Sequence, residues 1–260
     1  MTFRNFLPVL CIIFLSGYFI FQAFAYDSNT EILSIRAEGR ALLHYPDITF
    51  VKGDSVFFAD GSTLPYDDHR QKSFDEKLAD ADIEDIFTFA YPAFAPIAVP
   101  GFNEDPGRFR NDALLKKIYG SDKKTVEKNL ITVRWLPRHG GRKLLFNGKA
   151  HAAEQLQQIS DELDRLPDDF MKYVKNINGT YSFRKIAGTD RPSAHSYGIA
   201  IDLDTKHSSY WLWDRTWHYR NEIPQQVVDI FERHGFIWGG RWYHYDTMHF
   251  EYRPEMFGAV

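Results

Sequence analysis

Residues 193–202 read SAHSYGIAID, and the run continues to Asp204 as GIAIDLD. Alternation decides how this stretch folds. In an extended chain Ile199, Ile201 and Leu203 point one way, while Ala200, Asp202 and Asp204 point the other. The pattern predicts a strand with its aliphatic face on a core and the Asp202 carboxylate on the opposite face. His195 stands seven positions before Asp202, with Gly198 between them to let the chain turn without a side-chain clash. A turn leading into a strand can therefore bring an imidazole and a carboxylate to one point.

A third polar group of the right kind lies near the C-terminus. The segment TMHFEYR (247–253) reads as a last strand carrying His249, and Asp246 precedes that histidine by three residues. Catalytic zinc sites use three nitrogen or oxygen ligands from the protein and keep one position open. His195, Asp202 and His249 meet that requirement and leave Asp246 free to act as a base. Each element alone has a plainer reading: a hydrogen-bonded His–Asp pair, a turn cap at Asp246, a satisfied core histidine at 249. Glu251 shares a strand face with His249, either to orient it or to face solvent.

Working outward, the rest of the chain reads as segregated strands and helices, which makes α+β the natural class. The expected architecture is an antiparallel sheet carrying a zinc site, flanked by helices, with a small β-rich N-terminal extension. In that extension, residues 26–100, ALLHY (41–45), DITFV (47–51) and SVFFA (55–59) look like short strands of a meander. A helix opens at Ser73. Residues 91–110 hold four prolines and two glycines and predict irregular chain. From 101 to 260 a second domain is expected, with helices in 110–120, in 151–167 and, stopped by Gly235, in 221–235. GTYSFRKIAG (179–188) is read as β-rich. Five of the six tryptophans, from Trp211 to Trp242, surround the expected site and either wall a groove or fill the core beneath it.

Residues 1–25 have the form of an export segment: Arg4, an apolar run from Phe6 to Phe21, then Ala23-Phe24-Ala25 as a small-x-small cleavage site. The run approaches membrane-spanning length, so retention as a membrane tether is the competing reading. Either way the remainder is expected to be exported, periplasmic or extracellular. The only cysteine, Cys11, lies inside this segment, so the rest of the chain forms no disulfide. With 260 residues, 44% hydrophobic and a net charge of −4, the chain is of ordinary globular composition. That balance gives no drive toward nucleic acid.

The paired motifs, SAHSYGIAID followed by DTMH, resemble the double signature S-x-H-x-x-G-x-A-x-D … [DE]-x-x-H of the D-alanyl-D-alanine metallopeptidase family. That family includes vancomycin-resistance-type D,D-carboxypeptidases and L-alanyl-D-glutamate endolysins. The similarity extends from about Asp105 (DPGRFR) through FRKIAGTDRPSAHS and YRNEIP to HGFIWGGRWYHYDTMHFEYRPE. The resemblance implies His195, Asp202 and His249 as zinc ligands and Asp246 as general base. It implies Ser193 as a substrate contact and Arg184 as the arginine that steadies an oxyanion or a substrate carboxylate, with Arg191 a rival for the same task. The implied activity is zinc-dependent hydrolysis of peptidoglycan stem peptides at bonds next to D-amino acids, by a carboxypeptidase or an endopeptidase. A non-catalytic cell-wall binding module that kept the fold is the rival class, although a binder has no need of Asp246.

Overall fold

A four-stranded antiparallel sheet carries the C-terminal half of the chain. Its strands, in chain order, are β6 (Ile177–Gly179), β7 (Ala200–Leu203), β8 (Phe236–Trp238) and β9 (His249–Tyr252), and they lie in the order β6-β7-β9-β8. The computed structural model describes residues 37–213 and 216–258. These belong to one compact unit, 34–260. The export segment expected at residues 1–25 lies outside the described residues. Among the described residues no helix is long and apolar enough to cross a membrane.

The predicted alternation in 198–204 holds where it matters. Ile199, Ile201 and Leu203 are fully buried, and Asp202 sits on the other face, partly open. Strand β9 lies beside β7 in a register that sets Asp202 opposite His249 and Ala200 opposite Glu251. Helix α7 (Gln225–Arg233) buries Val227, Val228, Ile230 and Phe231 beneath the sheet, and the Phe231 ring stacks on Phe250 at 3.9 Å. Its start falls just after Pro224, which caps it, and the chain turns at Gly235 with φ +76°.

Between the N-terminal region and this sheet lie α3 (Asp112–Tyr119), α4 (Lys123–Lys128), the hairpin β4 (Leu130–Trp135) and β5 (Arg142–Asn147), and α5 (Ala152–Leu163). Helix α5 turns Leu156, Ile159 and Leu163 inward, as their spacing predicts. A one-turn helix, α6 (Met171–Val174), precedes β6.

The N-terminal region contains α1 (Ala37–Ala41), a meander of β1 (Ile48–Lys52), β2 (Ser55–Phe58) and β3 (Thr63–Pro65), and α2 (Phe74–Asp80). The last opens with a capping box between Ser73 and Glu76. ALLHY is not a strand. It finishes α1 and makes a 3₁₀ turn, because Ala41, Leu42 and Tyr45 are the buried residues and their spacing is helical. GTYSFRKIAG likewise contributes only its first residue to a strand. Its remainder is a loop closed by backbone bonds from Ile186 N–H to Arg191 and from Ser193 N–H to Arg184. Residues 91–110 hold no helix or strand, as the prolines predict. They are fastened instead to α7: the Tyr91 hydroxyl and the Phe94 N–H donate to Glu232, and the Ile97 N–H donates to Gln225. One hydrophobic core runs from Leu42 and Tyr45 through Tyr119 and Leu156 to Phe250 and Met256.

Candidate metal centre and active site

His195 projects from a 3₁₀ turn, Ala194–Tyr197, whose N-cap Ser193 accepts the His195 backbone N–H through its hydroxyl oxygen. Gly198 ends the turn at φ +68°, where a β-carbon would meet Leu130 Cδ2 at 2.7 Å. This is the place where glycine is required, and it delivers the chain directly into β7. The His195 ring donates from Nδ1 to the Thr180 carbonyl at 2.6 Å and turns Nε2 to Asp202 Oδ2 at 3.1 Å. Across the β7–β9 pair, Asp202 Oδ1 lies 2.9 Å from His249 Nδ1. One nitrogen from each histidine and one oxygen of Asp202 fall within 4.8 Å of one another.

The residues fit a zinc ion. Two imidazole nitrogens and a carboxylate oxygen are the donor set of a catalytic zinc site. Each histidine has its other ring nitrogen fixed by a hydrogen-bond acceptor, Thr180 for His195 and Glu251 for His249, at 2.6 and 3.0 Å. The polypeptide alone shows what such an ion would relieve. Burial raises the Asp202 carboxyl, but its bonds to both histidines outweigh that and hold it far below the usual range. Burial lowers His249, yet Asp202 and Glu251 together push it up to about 10.

Asp246 lies at the start of the turn into β9, where its carbonyl receives the His249 N–H at 3.1 Å. Burial, reinforced by the charge of Asp202, pushes its carboxyl up to about 6 against the pull of His249, His195 and Arg108. Oδ1 of Asp246 is buried and bonded to nothing among the described residues. A carboxylate held this way, unbonded and raised toward neutrality, suits proton transfer.

These four residues open on a cavity of about 300 Å³. Arg108, Arg110, Arg184 and Arg191 all reach its wall, but three of them are committed elsewhere. Arg108 pairs with Asp105, Arg110 with Glu251, and Arg191 with both oxygens of Asp112 and with the carbonyls of Leu78 and Arg110. Arg184 is exposed, and its guanidinium has no side-chain partner among the described residues. Ser193 lines the cavity beside His195, although its hydroxyl is already engaged by the turn.

Sequence reasoning did not select Arg108, Tyr210 or Thr180, and it assigned no role to His244. Tyr210 and Trp211 reach the wall from the turn before the described residues break at 213, and His244 is steered there by two bonds to the buried Asp105. Only DPGRFR carried a hint, through its place in the resemblance; Thr180 acts through its backbone and left no side-chain signal. Of the five tryptophans, Trp211 and Trp242 line the cavity, Trp238 is core, and Trp213 and Trp217 are exposed.

Fold and site together set a His/Asp/His cluster that could hold a metal ion beside the buried carboxylate of Asp246. Residues 187–252, the segment that contains all four of these side chains, match the family model for D-alanyl-D-alanine carboxypeptidase. That match covers about a quarter of the chain and agrees with the resemblance of the paired motifs to the D-alanyl-D-alanine metallopeptidase family. Comparison with the curated proteins and with the solved structures gives no significant match.

Proposed function

We propose that the protein is a zinc-dependent D-alanyl-D-alanine carboxypeptidase that trims peptidoglycan stem peptides. The observation that carries this reading is the carboxylate of Asp202 bridging His195 and His249, beside Asp246, whose buried Oδ1 is bonded to nothing among the described residues, at the wall of a cavity. When bound, zinc would polarise the scissile carbonyl and acidify water. His195, Asp202 and His249 would hold it. Asp246 would take the proton from the attacking water and return it to the leaving amine, a double task that its raised affinity for protons suits. Arg184, whose guanidinium has no hydrogen-bonded side-chain partner among the described residues, would receive the terminal carboxylate of the stem. A cation in that position favours removal of a terminal residue over cleavage within the stem. An export segment at residues 1–25, cleaved or kept as a tether, would deliver the enzyme to the wall.

The test is to load the exported portion with zinc, incubate it with defined muropeptides including pentapeptide stems, and identify the products by mass spectrometry. Loss of one terminal D-alanine is the expected result. Cleavage inside the stem would make it an endopeptidase. Binding to wall material that survives Asp246→Ala, with no hydrolysis by the parent protein, would establish the binding-module reading instead.

A further inference from the structure

Five buried side chains connect the N-terminal region to the metal cradle. His249 Nε2 lies 3.0 Å from Glu251 Oε2. Glu251 Oε1 receives Arg253 at 2.9 Å, and Oε2 also receives Arg110 at 3.0 Å. The Nε of Arg253 donates to Glu255 Oε1 at 2.6 Å, and Glu255 Oε2 receives the Tyr45 hydroxyl at 2.5 Å. Tyr45, Glu251 and Arg253 are wholly inaccessible to solvent, and Glu255 nearly so. We propose that Glu251 is the positioning residue of His249, and that the N-terminal region reaches the site through Tyr45, Glu255 and Arg253. This rests on the reading of His249 as a metal ligand.

The argument starts from the imidazole. A ligating nitrogen must be unprotonated, so when Nδ1 faces the cradle the ring proton must sit on Nε2. A carboxylate accepting from Nε2 fixes that tautomer and the ring's rotation at once, and it raises the basicity of the ligand. Glu251 is placed to do this by strand period alone, two residues along β9 and on the same face. Its cross-strand neighbour is Ala200, whose small side chain leaves room for the carboxylate.

A buried carboxylate needs cations, and two arginines supply them. Arg253 is itself held in place by the carbonyls of Gly107 and Phe109 and by Glu255. Glu255 is shared between Arg253 and Tyr45, which follows the 3₁₀ turn Leu42–His44. Tyr45, Glu255, Arg253 and Glu251 are sealed from water, so none of these four can exchange its partner for solvent when the line is cut. A shift at Tyr45 must therefore be absorbed by the next charge along.

Zinc affinity by chelator competition and the visible spectrum of the cobalt-substituted protein, both on the full chain, read this directly. Glu251→Gln keeps the shape and an accepting oxygen but removes the charge; it should weaken metal binding by about 10–100-fold and move the cobalt bands. Tyr45→Phe removes one hydroxyl far from the ion and should weaken binding by a smaller factor. Unchanged affinity and spectrum in both folded variants, with melting temperature alone lowered, would reduce the line to a stabilising core network and overturn the proposal. If Glu251→Gln does not fold, Tyr45→Phe decides by the same criterion. A wild-type protein that takes up no zinc would sink the proposed function and this inference together, whereas equal zinc binding by wild type and variants sinks this inference alone.

Discussion

Gly239 accepts the backbone N–H of Asp246 at 3.0 Å, and the side chain it lacks is what allows the approach: a β-carbon there would sit 2.5 Å from the Asp246 carbonyl oxygen. The obstacle is backbone, so no rotamer change relieves it. Gly239→Ala should displace the turn that carries Asp246, the proposed base. Because misplacing a reacting group by an ångström costs on the order of 10²-fold, kcat/KM should drop by about that factor. Zinc content should fall less than activity, since of the three proposed ligands only His249 follows that turn and its pairing with Asp202 on β7 also holds it. A variant with full activity would show that the position of Asp246 does not limit the reaction.

A substitution at Asp246 itself should separate the proposed catalysis from metal binding. Asp246→Asn preserves size and removes the capacity to take a proton, so hydrolysis should fall by about 10²–10⁴-fold while zinc is retained. Steady-state assays on a pentapeptide stem, with metal analysis of the same sample, check both halves. Retained activity would remove Asp246 from the role of base.

How much of this was legible beforehand follows from the kind of signal each residue left. His195, Asp202, Asp246 and His249 are side chains at fixed spacing, and strand period placed Asp202 on the open face before any coordinate was known. Glu251 was legible for the same reason. What escaped was whatever acts through the backbone or from far away in the chain. The Thr180 carbonyl that orients His195 has no side-chain signature, and the bond from Asp105 to His244 joins residues 139 positions apart. ALLHY failed differently: a short apolar run fits a strand or a buried helical turn equally well, and tertiary packing chose the turn.

The two candidate arginines should part company when mutated. Arg184 has no side-chain partner among the described residues, so Arg184→Ala should leave the melting temperature nearly unchanged and lower kcat/KM by roughly 10–100-fold through loss of a charge-assisted hydrogen bond. Arg191 ties Asp112, at the start of α3, to the loop before His195. Arg191→Ala should therefore cost about 1–3 kcal/mol of stability, read by denaturant titration. If Arg184→Ala destabilised the fold and Arg191→Ala changed only kinetics, the two assignments would have to be exchanged.

Part of the acid sensitivity should originate far from the cavity. The ammonium of Lys72, almost entirely buried, lies 2.8 Å from Asp68, 3.1 Å from Asp82 and 2.7 Å from Asp85. Its bond to Asp68 is the main reason that carboxyl drops to about 2. Burial raises Asp85, but Lys72 and Lys77 outweigh it and the net direction is downward. Carboxyls lowered in the folded state stabilise it above their unfolded pKa, near 4, and lose that contribution as pH falls toward the folded value. The melting temperature should therefore fall between about pH 4 and pH 2 for this reason. Lys72→Met leaves Asp82 and Asp85 buried without that cation, which should cost about 3–5 kcal/mol at neutral pH. The sign of the dependence should then reverse, the variant gaining stability relative to wild type as acid protonates those carboxyls. Thermal melts of both proteins from pH 7 to pH 2 decide it, and parallel curves would show that the Lys72 cluster does not control the acid limb.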